Sequence, residues 1–344
     1  MTTNPRSIEP QTDSKMLMQA RSIGEIWRRF LAFVIDCLIL YVVGRGVGAA
    51  LFNSLFRVGP WGLLLGFCIA LLYFAILDSR IGDGQTVGKR CLQLRVVDTH
   101  GNTISFGKSL VRYSVFAAPH FLNGLQLPLS RTSWMVPPLI SVIGFGIGGT
   151  TLYLIVFNRQ TRQGLHDLAV RSYVARATES GPIKTEPIPE IHWAILRSLL
   201  IFLIIFALGL AAIGHKLEKW GPAAQRQQDR RLIEHMDYVQ RARVNVQRPL
   251  KWNNTGAKKT LAISVQWKGE SGDREEFSNQ VARLILQNDP RVQEYDLISI
   301  VMIREYDLGI ASEKNSLTFV HTPVEWCQRV LGASPAQSPT SLHQ

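Results

Sequence analysis

The residues with the clearest potential for chemistry are two arginines and an aspartate at the start of a long apolar run. Arg28 and Arg29 precede the run, and Asp36 lies inside it. Arg29 and Asp36 are seven residues apart, which places them on one face of a helix. A charged side chain inside a membrane costs at least ~2.5 kcal/mol, so Asp36 is expected to face protein or water. Two roles fit: a carrier of protons or ions, or a structural partner between helices.

Two secondary candidates also lie in apolar stretches. Arg45 follows Asp36 by nine residues in the same run, and it is expected either to pair with Asp36 or to extend its side chain to the far membrane interface. His120 follows Pro119 in a stretch that also contains amides. It is a candidate proton relay, with a contact at a proline kink as the alternative.

A second aspartate, Asp167, lies in a basic segment that follows an apolar run. It is expected to pair with Arg28 or Arg29 at the membrane face, or else to cap a helix or remain solvated. The neighbouring His166 is a further candidate, but ligands at metal-binding spacing do not accompany it, so no metal is predicted. The predicted charge cluster therefore consists of Arg29, Asp36 and Asp167.

These residues require membrane helices to position them. Residues 30–52 form an apolar run long enough to cross a hydrocarbon core of ~30 Å. Further apolar stretches cover residues 61–77, 113–130, 132–158 and 193–214. The stretch 113–130 contains two prolines and several polar residues, so it is either a weak span or a re-entrant segment. If it crosses, all basic segments lie on one side, which the positive-inside rule assigns to the cytoplasm. We therefore predict five spans, a cytoplasmic N-terminus and an external C-terminus.

After residue 214 the chain has the composition of a water-soluble domain. Residues 217–243 are predicted as a stalk helix that is broken at Gly221-Pro222. Alternating residues 261–267 predict a strand, helical spacing predicts a helix at 277–285, and strands at 295–306 and 317–321 precede a helix at 324–331. The predicted fold class is a membrane α-helical bundle of about five transmembrane helices followed by a small soluble α+β domain. Its predicted parts are a disordered cytoplasmic tail (1–22), a transmembrane domain (23–178), a linker (179–192), a final transmembrane helix (193–214), an extracytoplasmic α+β domain (215–331) and a disordered tail (332–344).

Three motifs in this order resemble the RDD family of bacterial membrane proteins, which is named for one arginine and two aspartates. Arg29 and Asp36 in residues 27–36 resemble its first motif, residues 83–98 are similar to its central loop, and Gln163-Gly164-Leu165-His166-Asp167 resembles its last motif. The similarity covers about residues 23–174. It implies an inner-membrane protein with several spans, and transport of ions or small solutes has been suggested for the family.

Composition excludes several other classes. Of the net charge of +12, residues 215–344 contribute +3 (18 basic minus 15 acidic), so the membrane half carries +9. This distribution is typical of cytoplasmic membrane loops that contact anionic headgroups, with Lys89 and Arg90 expected at the membrane surface, and it does not indicate nucleic-acid binding. The four cysteines lack C-x-x-C spacing, and residues 83–90 lack the glycine and hydroxyl positions of a P-loop. We predict no catalytic residues, no cofactor and no enzyme activity.

Two functions of different class remain open. In the first, the charge cluster moves a small cation, a proton or a solute through the bundle, which with five spans would require a homo-oligomer. In the second, the bundle is a scaffold that presents residues 215–331 to a protein partner in the envelope. Replacement of Asp36 by asparagine separates the two, because only transport requires its charge.

Overall fold

Three helices are long and apolar enough to cross a membrane, and they cover Ile26–Val58, Pro138–Phe157 and Glu190–Lys216. The helix Gly62–Leu77 is also apolar but shorter. These four helices coincide with four of the predicted spans. A fifth helix, Phe106–Gly124, covers part of the predicted weak span and contains Pro119, but it is not among the helices that are long and apolar enough to cross a membrane. A membrane protein is therefore supported, and five crossings stay a prediction.

Boundaries are taken from a computed structural model, which describes residues 21–124, 136–183, 187–218, 221–247, 259–268 and 274–332. Its helices are α1 (Ile26–Val58), α2 (Gly62–Leu77), α3 (Val87–Cys91), α4 (Phe106–Gly124), α5 (Val136–Phe157), α6 (Leu165–Val170), α7 (Glu190–Glu218), α8 (Gly221–Glu234), α9 (Arg274–Asn288) and α10 (Pro323–Leu331). Its strands are β1 (Leu94–Val97), β2 (Tyr173–Arg176), β3 (Val239–Gln247), β4 (Thr260–Trp267), β5 (Leu297–Asp307) and β6 (Ser312–His321). The predicted disordered tails lie almost entirely outside the described residues.

The chain divides into two compact units. The first unit consists of Met1–Asp36, Leu71–Phe116 and Gly149–Ala194. Its small antiparallel sheet pairs β1 with β2, in a register that places Leu94 opposite Arg176. Side chains of this sheet pack on the start of α1, where Ala32, Leu94 and Val174 are buried together. The β1–β2 sheet thus holds the loop after α2 against the helix that carries Arg29 and Asp36.

The second unit consists of Cys37–Ala70, Ala117–Gly148 and Ile195–Gln344. Its four-stranded sheet has the order β3-β4-β5-β6, in which only β4 and β5 are parallel. A parallel pair requires a crossover, and α9 supplies it. The predicted strands and helices after residue 260 are confirmed. Their apolar residues, among them Leu261, Ile285 and Trp326, form one buried core.

The predicted stalk helix at 217–243 is wrong in its second half. Helix α8 ends at Glu234, and Val239–Gln247 forms β3, which pairs antiparallel with β4. The reason lies in the period of the apolar residues. Ala242 and Val244 are buried and alternate with more exposed polar side chains, which is a strand pattern with period two.

Candidate functional site

Asp36 lies in a pocket of hydrogen-bond donors in the first unit. Its Oδ1 accepts hydrogen bonds from the Tyr73 hydroxyl (2.7 Å) and the Gly88 amide (2.9 Å), and its Oδ2 accepts one from the Thr86 hydroxyl (2.6 Å). The residue is 1% exposed. Hydrogen bonds to a charged group each contribute about 1.5–3 kcal/mol, so three of them offset the cost of burying this carboxylate.

The loop after α2 is folded so that it can supply two of these donors. Thr86 is the N-cap of α3, where its side chain also accepts a hydrogen bond from the Lys89 amide (3.3 Å). Gly88 lies so close to α1 that a Cβ atom there would overlap the Ala32 carbonyl oxygen. A glycine is therefore required for the backbone of this loop to reach Asp36.

Arg29 forms a separate set of contacts, all with backbone oxygens. Its guanidinium donates to the carbonyl groups of Gly24 (3.1 Å), Arg162 (2.6 Å) and Val174 (2.7 Å). Arg162 and Val174 are distant from Arg29 in the chain, so the side chain connects the start of α1 to the region around α6 and β2. Arg29 is not an ion-pair partner of Asp36, although the two residues share a helix face.

A buried charge network lies beside these sites, and we define it as Asp78, Lys89, Arg112 and Asp167. Asp78 accepts from the Lys89 ammonium (2.5 and 2.7 Å) and from Arg112 (2.7 Å). Arg112 also donates to Asp167 Oδ1 (2.8 Å). Both carboxylates are 1% exposed, so this is a continuous row of alternating charges with little access to water. Burial lowers the pKa of Lys89, and the nearby Asp78 opposes that shift.

Asp167 also closes the first turn of α6. Its Oδ2 accepts from the Gly164 amide (3.2 Å), and its Oδ1 accepts from the Ser172 hydroxyl (3.2 Å). Burial disfavours its charge, but His166, Arg112 and Arg29 hold the pKa of Asp167 well below its usual range. Burial lowers the pKa of His166 to about 4, so this imidazole is neutral near pH 7.

Several predicted contacts differ from those observed. The helix-capping role of Asp167 is confirmed, but its ion-pair partner is Arg112 rather than Arg28 or Arg29. Arg28 instead pairs with Glu25 (3.4 Å) and approaches the Leu92 carbonyl (3.4 Å). The expected position of Lys89 at lipid headgroups is wrong, because its ammonium is buried against a carboxylate.

Arg45 and His120 belong to the second unit, where Arg45 contacts the ends of β5 and β6 and His120 contacts the turn between them. Arg45 pairs with Glu313 (2.9 Å) and donates to the Tyr306 hydroxyl (3.3 Å). The predicted pairing of Arg45 with Asp36 is therefore not formed. His120 Nε2 is 2.8 Å from the Gly309 carbonyl oxygen, and its role as a proton relay or in a contact at the proline kink stays a prediction.

Four glycines pack against the segment that joins β5 and β6, which we call the β5–β6 tip (residues 306–311). The glycine socket consists of Gly44 and Gly48 on α1 and Gly62 and Gly66 on α2. Cβ atoms at Gly48 and Gly66 would overlap the Tyr306 hydroxyl and the Leu308 carbonyl oxygen, respectively. Cβ atoms at Gly44 and Gly62 would lie only 2.8 Å from Ala311 Cβ and the Asp307 carbonyl oxygen. Small residues spaced by four on membrane helices allow close backbone approach, and here they allow the turn between two strands to lie against the helices.

Among the buried polar atoms of the first unit that have no hydrogen-bond partner in the described residues are Nδ1 of His166 and Oγ1 of Thr151. Both side chains lie against Gly164. No group of three or more His, Cys, Asp or Glu side chains is placed to hold a metal in the part of the chain that the structure describes.

Comparison with known proteins agrees with these features. Residues 23–171 match the model of the RDD family. The predicted resemblance is thereby confirmed for this RDD segment, which contains Arg29, Asp36 and Asp167. Residues 172–344, including the four-stranded sheet, lie outside the match. No curated protein and no solved structure matches the chain.

Sequence reasoning missed the residues that partner the RDD charges. Asp78 and Arg112 flank predicted apolar stretches, at the end of the second and immediately before the third. Their position at two span boundaries was a signal that they could meet at one membrane face. Tyr73 and Thr86 offered no comparable signal, because one lies within an apolar run and the other in a polar loop.

Proposed function

We propose that this protein is a membrane scaffold, in which a helical bundle anchors the α+β domain and presents it to a partner in the bacterial envelope. The observation that carries the proposal is the docking of the β5–β6 tip in the glycine socket. A domain that is only tethered by α7 would not need glycines at four positions of two other helices. The socket therefore supports a fixed attachment between membrane helices and the sheet.

The RDD charges support the same function. Asp36 has three donors, Arg29 has three acceptors, and Asp78 and Asp167 share Arg112. A carboxylate that binds a transported ion needs an open coordination position, whereas these groups are satisfied by the protein itself. Such a network suits a rigid structural core.

Transport stays a second candidate because of one specific observation. The charge network continues through Asp167 to His166, whose Nε2 is 3.4 Å from Asp167 Oδ2 and whose Nδ1 has no hydrogen-bond partner in the described part of the chain. A proton relay needs such a chain of hydrogen-bonding groups with one open end. In this alternative the protein would move protons or small cations, as a homo-oligomer in the inner membrane.

The test uses a strain that lacks the gene and a growth defect found by screening pH, salt and detergent. Four chains are compared at equal expression: wild type, Asp36→Asn, Gly66→Ala and a chain that ends at Gly214. The scaffold predicts that Asp36→Asn restores growth, whereas the chain without the domain does not and Gly66→Ala restores it poorly. Restoration by the chain that ends at Gly214, together with failure of Asp36→Asn, would contradict the scaffold and favour transport.

The orientation needs its own test, since it decides which compartment the partner occupies. Cys327 is buried, so labelling requires a cysteine at an exposed position such as Glu276 in a background without native cysteines. Labelling of Glu276→Cys in intact cells by a membrane-impermeant reagent is expected for an extracytoplasmic domain. Labelling that requires lysis would place the domain in the cytoplasm and redirect the search for partners.

A further inference from the structure

Two carboxylates are completely buried where α8 meets the end of α9. Asp229 on α8 and Asp289, which follows α9, each have a relative exposure of 0%. Asp229 Oδ1 accepts a hydrogen bond from Gln225 (3.0 Å), but its Oδ2 has no partner among the residues that the structure describes. The same Gln225 amide donates to the Asn288 carbonyl (3.0 Å), so it connects the two helices at this point.

The two carboxyl groups have different surroundings. Asp289 Oδ1 accepts from the Arg291 amide (2.9 Å) and lies 3.6 Å from the Arg291 guanidinium, and its Oδ2 is 3.5 Å from the Tyr295 hydroxyl. Both carboxylate oxygens of Asp289 thus have a donor. Burial raises the pKa of Tyr295 to about 12, so its hydroxyl remains a donor. Among the described residues Asp229 has one hydrogen-bond donor, the Gln225 amide, and its burial disfavours the charged form.

The other neighbours of α8 offer Asp229 little compensation. Strand β3 packs against α8 with the buried side chains of Ala242 and Val244, which carry no charge. Besides Asp289, the charged group that acts on Asp229 is Arg291, and its favourable effect is smaller than that of burial and of the like charge. Burial and Asp289 together raise the pKa of Asp229 to about 6.

We propose that Asp229 and Asp289 form an acid-responsive lock between α8 and α9, closed when Asp229 is protonated and loosened when it is ionised. Helix α8 begins at Gly221, three residues after the apolar helix α7 ends at Glu218. Protonation of Asp229 thus decides whether α8, which connects the last candidate span with the sheet, stays attached to α9. In an extracytoplasmic domain it would respond to the pH of the surroundings, so that acid fixes the domain to its anchor.

The direction in which pH changes the attachment of α8 follows from proton binding. When α8 detaches, Asp229 returns toward its ordinary pKa of 3.8, so the attached state binds more protons between about pH 4 and pH 6. Attachment is therefore favoured by acid, and that contribution is lost as the pH rises through about 6. For a shift from 3.8 to about 6, the opening equilibrium is about tenfold smaller at pH 5 than at pH 7.5.

The experiment is hydrogen–deuterium exchange of the full chain in lipid nanodiscs, with intrinsic exchange rates corrected for pH. Amides of α8 are expected to exchange about tenfold faster at pH 7.5 than at pH 5 in the wild type. Asp229→Asn should remove this difference, whereas Asp289→Asn should move its midpoint to lower pH. Asp237→Asn is the control, since it removes an exposed acid just beyond α8.

Two results would overturn the lock. One is equal protection of α8 in the wild type at both pH values, and the other is an unchanged pH step in Asp229→Asn. If Asp229→Asn does not fold, the pH midpoint of α8 exchange in Asp289→Asn decides whether the proposal stands. A midpoint that stays at the wild-type value would exclude coupling between the two carboxyl groups.

Discussion

Replacement of Arg112 by methionine should destabilise the RDD segment more than any single change at its surface. Arg112 donates to Asp78 (2.7 Å) and to Asp167 (2.8 Å), and both carboxylates are 1% exposed. Methionine keeps much of the side-chain volume but removes all donors. Asp78 retains Lys89, whereas Asp167 loses the guanidinium that pairs with it in the described residues.

The expected loss in the free energy of unfolding follows from the two carboxylates that lose Arg112. Removal of one partner of a buried ion pair typically costs 3–5 kcal/mol, because the remaining charge is buried without compensation. Since Arg112 serves two carboxylates, we expect a loss of about 4–5 kcal/mol in the free energy of unfolding. Arg112→Met/Asp167→Asn should recover part of this loss, because the uncompensated charge is then absent.

The assay is equilibrium unfolding in mixed micelles with increasing SDS, followed by tryptophan fluorescence. Lys108→Met is the matched control, since Lys108 lies on the same helix and is exposed. An effect of Arg112→Met within about 1 kcal/mol of that control would refute the structural role of the network. Strict additivity of Arg112→Met and Asp167→Asn would show that the two side chains do not interact.

Two further predictions concern the same unit. Gly88→Ala should lower the free energy of unfolding by about 1–3 kcal/mol in the same assay, because its Cβ overlaps the Ala32 carbonyl oxygen. Gly107→Ala is the control and should have little effect, because the space around Gly107 is open. Equal unfolding midpoints of the two variants would contradict the close approach of Gly88 to α1. Acidification from pH 7.5 to pH 5 should cost about 2 kcal/mol through His166, whose pKa is about 4 when folded and 6.5 when exposed, since the unfolded state then binds more protons. His166→Gln should show a loss smaller by this amount, and an unchanged pH dependence would refute the buried neutral imidazole.

Elements with a clear period were predictable from the sequence. The alternation of residues 261–267 and the helical spacing from Phe277 onward both correspond to observed elements, β4 and α9. Strand β3 was missed because the predicted helix was extended through an Arg- and Gln-rich stretch, although Val244 and Val246 alternate with polar residues. In that stretch the alternation of apolar and polar residues indicates the observed strand better than helix propensity does.

The site was predictable in its members but not in its pairings. Sequence patterns identified Arg29, Asp36 and Asp167 as the charges of interest, yet the structure gives each a different partner set. Ion-pair partners depend on loop paths that sequence spacing does not encode, such as the approach of Gly88 to α1. The glycine socket was also missed, because Gly62 and Gly66 resemble ordinary helix-packing glycines until a turn is seen to occupy them.

The most direct test of the scaffold is the protection of the β5–β6 tip against hydrogen–deuterium exchange in the full chain in nanodiscs. Gly66→Ala places a Cβ on the Leu308 carbonyl, whereas Gly46→Ala on α1 meets open space. We predict that the tip is protected in the wild type and in Gly46→Ala, and that it exchanges at least tenfold faster in Gly66→Ala, a change of ~1.4 kcal/mol or more. Equal protection of the tip in all three chains would contradict the docking on which the proposed scaffold rests.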